Sequence, residues 1–347
     1  MKQYEEKTGK NEKTIRIRKI PKRDLEILYS IFKYRVLTTS QIMTLHEITK
    51  WYLYKKLIEM EKKGYIIHGN LHNLYQGKRQ GNYYRLLEGG LKKLRDNNYD
   101  VGKFKAYDLK VSKDHLPHLV LFNDIQMVLS RYGWKYKDSR ALKEEHFLNR
   151  NSIIHGMFIS PNGTEYGVYI TLKGASPTTI SRINTEMMEQ MHIQNYLIFT
   201  RDMTAFTSVI QQLHPEKVAI YAESCKVLST EFGKYFITSY PTDEMLYAHL
   251  ANTKRDLSFK THFESLYIQE GLSTVVEHEG EEKYFVSLID NDLVKINNIR
   301  NYNTDRYERD GRKVLIATVP QLKKHQQAML KTIHHAEFYM LSNAELF

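Results

Sequence analysis

Apolar residues in the first hundred positions recur first at helical spacing and then in strand-like runs. The segment 23–36 carries apolar side chains along one side, which predicts a first helix. A short second helix is predicted from Thr39 or Ser40, either of which can cap its free backbone N–H groups. A third helix is predicted to begin at the cap residue Thr49 and to end at Gly64, because glycine commonly terminates helices.

The stretch from Gly64 to Leu86 reads GYIIHGNLHNLYQGKRQGNYYRL, in which two β-prone runs flank a polar middle. This pattern predicts a β-hairpin whose tip carries Lys78 and Arg79 between two glycines. Residues 87–97 then return to helical spacing. The order of helix, short helix, helix, hairpin and helix is typical of a winged helix-turn-helix domain.

One face of the third helix is predicted to be buried, since Leu53, Leu57 and Met60 share it and Ile66 can close over them. The other face is left for solvent or for the major groove of DNA. The residues predicted to contact DNA from this helix are Thr49, Lys50, Trp51, Tyr52, Lys55 and Lys56. For Trp51, packing against a neighbouring helix is an equally open alternative.

Two further groups are predicted to contact DNA. The hairpin tip, or wing, contributes Lys78, Arg79 and Gln80, and its cations are expected to meet phosphates. Residues 1–19 show no sustained period and are expected to form a mobile basic arm. The predicted contacts of this arm are Arg16, Arg18 and Lys19.

The excess of basic over acidic residues is confined to the first third of the chain. The 347 residues include 51 lysines and arginines and 40 acidic residues, for a formal net charge of +11. Residues 1–105 hold 24 of the basic and 11 of the acidic residues, a net charge of +13, and the remainder holds 27 and 29, a net charge of −2. Such a confined excess is typical of a nucleic-acid-binding domain, although a basic solubility surface is the alternative.

Beyond residue 117 the pattern alternates between strands and helices. It predicts helices over 118–132, 176–191 and 204–213, and strands over 152–160, 165–172, 195–200 and 218–222. Further on, 232–238 is predicted as a strand and 242–262 as a helix. The strand–helix order of residues 165–213 recurs over 283–330, so an internal duplication and two ordinary α/β units are both open.

The sequence therefore predicts an α+β protein with an N-terminal winged helix-turn-helix domain and an α/β region built on a mixed sheet. The predicted divisions are the basic arm (1–19), the winged helix domain (20–105), a first α/β domain (106–225) and a second α/β unit (226–347). Because Cys225 is the single cysteine, no intramolecular disulfide can form, and the cytoplasm is the expected compartment. Neither a signal peptide nor a membrane-spanning apolar run is recognised, so no membrane partner is expected.

Two adjacent predicted strands are arranged as in metal-dependent nucleases of the PD-(D/E)xK type. Those enzymes hold a divalent ion with carboxylates on the two strands. Here His155 stands where the first aspartate would fall, and Thr171-Leu172-Lys173 stands where the acid-x-Lys triplet would fall. The first α/β domain (106–225) is therefore predicted to be a degenerate PD-(D/E)xK-like frame, and the second α/β unit (226–347) is a possible internal repeat of it. A carboxylate from elsewhere, Glu145 or Glu165, is the remaining candidate ligand.

Other chemistry is excluded by the sequence itself. It contains neither the glycine loops that cradle nucleotide phosphates nor the paired cysteines of zinc ribbons. His115 and His118 lack a third metal ligand at a suitable spacing. We therefore predict no catalytic residue, no metal site and no cofactor.

The segments RDLEILYSIFKYRVLTTSQIMTLH and HLVLFNDIQMVL, with the strand–helix units after them, resemble the replication-relaxation family of plasmids and other mobile elements of Gram-positive bacteria. The resemblance covers roughly residues 20–200, with a second match near 283–330. It implies double-stranded DNA binding tied to plasmid replication or transfer. Family members often carry Asp-Gly and Glu-x-Asp on the two strands where this chain has His155-Gly156 and Thr171-Leu172-Lys173, so no catalytic residue is carried over.

These observations predict a cytoplasmic, non-enzymatic protein that binds specific double-stranded DNA in the replication or conjugative transfer of a plasmid or mobile element. A homodimer is expected, because two-fold pairing reads two half-sites, and replication or transfer proteins are the expected further partners. A winged helix transcriptional regulator is the first alternative. A metal-dependent nickase or nuclease is the second.

Overall fold

Three helices, α1 (Lys22–Tyr34), α2 (Thr39–His46) and α3 (Lys50–Lys62), follow one another at the start of the described chain. The computed structural model describes residues 20–71, 81–149, 151–172, 175–190, 192–260, 265, 267 and 271–347. A three-stranded antiparallel sheet of β1 (Leu37–Thr38), β2 (Ile66–Asn70) and β3 (Asn82–Leu86) accompanies the helices, with β3 in the centre. Helix α4 (Glu88–Asp96) follows. These elements belong to the first of two compact units, residues 1–112, and the second unit spans residues 113–347.

The N-terminal cap of α2 differs from the prediction of Thr39 or Ser40. The Thr38 hydroxyl accepts a hydrogen bond from the Gln41 N–H, and the Gln41 side chain accepts one from the Thr38 N–H. Thr38 also ends β1, and its pairing with β3 holds it in the extended backbone conformation that an N-cap residue needs. Strand pairing therefore placed the cap one residue earlier than the local sequence indicated.

The second unit contains two five-stranded mixed sheets with the same topology. The first consists of β4 (Lys135–Asp138), β5 (Gly156–Ile159), β6 (Glu165–Thr171), β7 (Asn195–Thr200) and β8 (Ser224–Ser229). The second consists of β9 (Ser258–Phe259), β10 (Val275–His278), β11 (Glu281–Ser287), β12 (Val314–Thr318) and β13 (Ala336–Met340). In each sheet the strands lie in chain order, the first three pair antiparallel, and the last three pair parallel.

Helices connect the parallel strands of both sheets, as parallel pairing requires, and further helices flank the sheets. The helices in the first half of this unit are α5 (Leu116–Ser130), α6 (Ser139–Glu145), α7 (Pro177–Glu189), α8 (Met203–Gln212) and α9 (Pro215–Tyr221), of which α7, α8 and α9 connect parallel strands. The later helices are α10 (Thr230–Ser239), α11 (Asp243–Thr253), α12 (Leu293–Asn301), α13 (Thr304–Asp310), α14 (Pro320–Met329) and α15 (Asn343–Leu346). Among the described residues, no helix is both long and apolar enough to cross a membrane.

Two segments predicted as strands are helical. Residues 218–222 lie mostly in α9, which Pro215 opens in its first turn, and β8 takes the place beside β7. Residues 232–238 lie in α10, where the rings of Phe232 and Phe236 stack one helical turn apart. Short apolar runs fit either structure, so periodicity alone does not separate them.

The segment 242–262 was also predicted incorrectly as one helix. Helix α11 ends at Thr253, and strand β9 follows at the edge of the second sheet. The predicted division between residues 225 and 226 lies inside β8.

A buried carboxylate, Asp290, joins the two sheets of the second unit. Its Oδ2 lies 2.9 Å from Nζ of Lys226 on β8 and 3.6 Å from Nζ of Lys295 on α12. Burial acts to raise the pKa of Asp290, but the two ammonium groups outweigh it and hold that pKa below its ordinary value. Lys295 is also bound 2.8 Å from a carboxylate oxygen of Asp243. The charges of this buried network compensate one another.

Asp292 adds hydrogen bonds from uncharged donors to the same junction. Its carboxylate accepts from the Ser224 hydroxyl at 2.5 Å and from the Cys225 N–H at 3.1 Å, and it caps α12 through the Val294 N–H. Burial, together with the nearby charge of Asp290, raises the pKa of Asp292. The loop after β11 is thus fixed to β8 by side chains and by one isolated backbone bridge, in which the Val227 N–H donates to the Asn291 carbonyl at 3.4 Å, rather than by a continuous strand ladder.

We expect Lys226→Met to destabilise the protein by roughly 3 kcal/mol, because Asp290 would stay buried without its closest cation. Urea unfolding followed by circular dichroism measures this loss. The control is Lys226→Met combined with Asp290→Asn, which removes both charges and should recover most of the stability. An equal loss in both variants would show that packing of the lysine stem, and not charge, accounts for the effect.

Candidate functional site

Helix α3 has one buried face and one exposed face. Leu53, Leu57 and Met60 are buried, as the sequence predicted, and Ile66 is buried beside them. At its end, Gly64 adopts a φ of +70°, and the N–H groups of residues 64 and 65 bind the carbonyls of residues 61 and 60. This hydrogen-bond pattern is a Schellman cap, which confirms the predicted role of the glycine.

The exposed face of α3 combines aromatic and apolar side chains with lysines. Trp51 is 77% exposed and Ile58 is 52% exposed, and Tyr54 lies between them along the same face. Nζ of Lys55 lies 5.8 Å from the ring centroid of Trp51, and Nζ of Lys50 lies 5.9 Å from that of Tyr54. Trp51 is therefore directed to solvent and not packed against a neighbouring helix.

Within the part of the chain that the structure describes, neither Lys50 nor Lys55 forms a salt bridge. Thr49 occupies the exposed N-cap position of α3. Tyr54 and Ile58 also belong to this face but were not among the residues predicted for it. The spacing of three and four residues from Trp51 would have identified them.

Lys56, although predicted to contact DNA, is held by the protein. Its Nζ lies 3.1 Å from Oδ2 of the buried Asp24 on α1, and its side chain is 19% exposed. Burial acts to lower the pKa of Lys56, but the hydrogen bond and the charge of Asp24 outweigh it and raise that pKa. Tyr52 lies beside this pair, with Lys56 5.9 Å and Arg23 5.5 Å from its ring centroid. Tyr52 and Lys56 thus connect α3 to α1.

The remaining predicted DNA contacts lie outside the described residues. These are the wing residues Lys78, Arg79 and Gln80 and the arm residues Arg16, Arg18 and Lys19. The described part of the hairpin pairs β2 with β3 up to the Leu71 N–H, which donates to the Gly81 carbonyl at 3.2 Å. The hairpin strands therefore lead directly to the segment that carries the wing residues.

His155, at one of the positions predicted as nuclease-like, stacks on His118 of α5. The rings of His155 and His118 lie 5.0 Å apart between centroids at an interplanar angle of 24°. Nδ1 of His155 accepts a hydrogen bond from the Ile170 N–H at 3.1 Å, which requires the unprotonated nitrogen. Burial lowers the pKa of His155 well below its ordinary value, and the charges of His118, His115 and Lys143 act in the same direction.

The two acidic candidates do not approach these positions. Glu165 and Glu145 both bind Lys137, at 3.4 Å and 2.8 Å. Glu165 begins β6 and Thr171 ends it, so the two are separated by about 20 Å along the strand. Thr171 is buried, and its hydroxyl has no hydrogen-bond partner among the described residues. Among the described residues, no group of three or more His, Cys, Asp or Glu side chains is arranged to hold a metal ion.

Comparisons with protein-family models, with curated proteins and with solved structures gave no match for this chain in any of the three. The functional assignment therefore depends on the residues themselves.

We expect Lys56→Met to destabilise the protein by about 3 kcal/mol, because Asp24 would remain buried and charged without a partner. Thermal unfolding measures the change. Adding Asp24→Asn to this variant should recover much of the loss. If the double variant is no more stable than Lys56→Met alone, the ion pair is not the reason for the burial of Asp24.

The stacked histidines should make stability fall in acid. Below the ordinary histidine pKa of about 6.5 the unfolded chain binds a proton that native His155 does not, so stability decreases by up to about 1.4 kcal/mol per pH unit. His155→Asn retains an acceptor for the Ile170 N–H, and it should flatten the pH dependence of unfolding between pH 6.5 and 4.5. His334→Asn, at an exposed histidine, is the control and should leave the slope unchanged. An unaltered slope in His155→Asn would contradict the assignment.

Proposed function

We propose that residues 20–105 form a winged helix-turn-helix domain that binds double-stranded DNA. In this proposal the chain is a non-catalytic DNA-binding protein that acts in the replication or conjugative transfer of a plasmid or other mobile element. Helix α3 would enter the major groove, and the segment between β2 and β3 would lie along the backbone as the wing.

The observation that carries this proposal is the exposed face of α3. Lys50 and Lys55 lie on a surface helix without acidic partners among the described residues, next to exposed Trp51. An unpaired ammonium group gains most from a polyanion, because each phosphate contact releases a counterion. Lys56, in contrast, is neutralised by Asp24 and would contribute little to binding.

The surrounding architecture supports the same proposal. Only three residues separate α2 from α3, which is the spacing of a helix-turn-helix. The antiparallel pair β2–β3 follows at once, with β1 on the other side of β3. The net charge of +13 over residues 1–105 and the resemblance to the replication-relaxation family add to it.

For the second unit we propose a platform for dimerisation and for replication or transfer proteins. Both halves of this unit have a helix, three antiparallel strands, a helix and a parallel strand in that order, with α6 inserted between β4 and β5 in the first half, and this order fits a duplicated nuclease-like frame. His155 and Thr171 take the metal-binding positions of the first frame, and neutral histidine beside a threonine hydroxyl is a poor ligand set for a hard cation.

We expect the full chain to bind a 30-base-pair duplex with an affinity that falls steeply with salt. Lys50→Gln combined with Lys55→Gln should weaken binding and reduce the slope of log affinity against log salt by about 2, since two phosphate contacts are lost. Fluorescence anisotropy between 50 and 300 mM NaCl measures both.

The matched control is Lys324→Gln combined with Lys331→Gln, which removes the same charge from two exposed lysines of the second unit. This variant should retain the parental slope. Failure of the parental protein to bind duplex DNA, or equal changes in the two double variants, would overturn the proposal.

A further inference from the structure

The exposed side chains of α3 are unusual for a helix that reads bases. All of α3 lies within the described residues, and its exposed members are Lys50, Trp51, Tyr54, Lys55, Ile58 and Lys62. None of them is an asparagine or glutamine, which make the bidentate contacts with adenine, and the residues among them that could contact guanine are the lysines. Three of them instead present large apolar surfaces.

These apolar side chains form one continuous stripe. Trp51, Tyr54 and Ile58 are spaced by three and four residues and therefore share a helix face. The stripe runs from residue 51 to residue 58, seven residue-to-residue steps, or about 10 Å along the helix axis. That length corresponds to about three base-pair steps of B-form DNA.

Charge determines what kind of partner fits this stripe. The ammonium groups of Lys50 and Lys55 flank the Tyr54 and Trp51 rings within 6 Å of their centroids. An apolar surface between two cations is complementary to a groove whose floor has apolar groups and whose edges are phosphates. The major groove of A·T-rich DNA has this character, because each thymine presents a C5 methyl group there.

We infer that α3 recognises thymine methyl groups over about three successive base pairs, with Trp51, Tyr54 and Ile58 as the reading side chains. This inference rests on the DNA-binding function proposed above and names its substrate preference. Lys50 and Lys55 hold the phosphates on either side. Preference for A·T-rich duplexes follows from apolar contact and not from hydrogen bonds to base edges.

The experiment uses the full chain and four 30-base-pair duplexes of alternating sequence: d(A-T), d(A-U), d(G-C) and d(G-5-methyl-C). Uracil removes only the methyl group, and 5-methylcytosine adds it at the same position of a G·C pair. Burying one methyl group changes affinity about fourfold, so d(A-T) should bind at least fourfold more tightly than d(A-U). The d(G-5-methyl-C) duplex should likewise bind more tightly than d(G-C).

Three variants assign the effect to the stripe. Trp51→Ala and Ile58→Ala should each reduce the ratio between d(A-T) and d(A-U), and both residues are exposed enough that folding should be retained. Lys50→Gln combined with Lys55→Gln should weaken binding to all four duplexes and leave the ratio unchanged. Circular dichroism verifies that each variant is folded.

Each other outcome has a distinct meaning. Equal affinity for d(A-T) and d(A-U), with binding retained, overturns this inference but not the proposed function. Absence of binding to every duplex overturns both. Tighter binding to single-stranded dT30 than to d(A-T) would show that the aromatic rings stack on bases, and tightest binding to d(G-C) would show that the lysines read guanine. In a further outcome the protein binds no DNA, and sedimentation shows that Trp51→Ala abolishes its self-association. This outcome would identify the stripe as an interface with a second copy of the chain.

Discussion

The second unit depends on one buried carboxylate. Asp290 follows β11 of the second sheet and lies between Lys226 on β8 of the first sheet and Lys295 on α12, and its charge is compensated within the protein. Isolated burial of a carboxylate is very unfavourable, so the two sheets must keep the register that brings both cations to it. The five-stranded sheets with matching topology can thus be held as one compact body even though their strands do not form a single ladder.

A similar constraint acts in the first unit at a smaller scale. Asp24 of α1 binds Lys56 of α3, and this pair fixes which face of α3 turns outward. The aromatic ring of Tyr52 covers the pair, and Trp51 is left in solvent. Two consecutive lysines of α3 therefore have different roles. Lys55 lies on the exposed face, and Lys56 binds Asp24 between α3 and α1.

Helical periodicity was the most reliable signal in the sequence. It identified α1 and α3, the buried residues Leu53, Leu57 and Met60, and the glycine that ends α3, because these depend on local geometry. It failed for 218–222 and 232–238, where runs of a few apolar residues fit a strand or a helix equally well. Residues 218–222 do not form a strand because β8 occupies the edge of β7 instead. In 232–238 the helix places Phe236 one turn after Phe232, and the two rings stack.

The sequence by itself determined the element order of the first unit, the confinement of positive charge to residues 1–105 and the absence of carboxylates at His155 and Thr171. Only the tertiary structure decided that Lys56 is paired, that Tyr54 and Ile58 join the exposed face, and that Glu145 and Glu165 both bind Lys137. The physical reason is that the partner of a charged side chain is distant in sequence. Asp24 is 32 residues from Lys56, and Asp290 is 64 from Lys226, so no local pattern reveals which cations are free to meet another molecule.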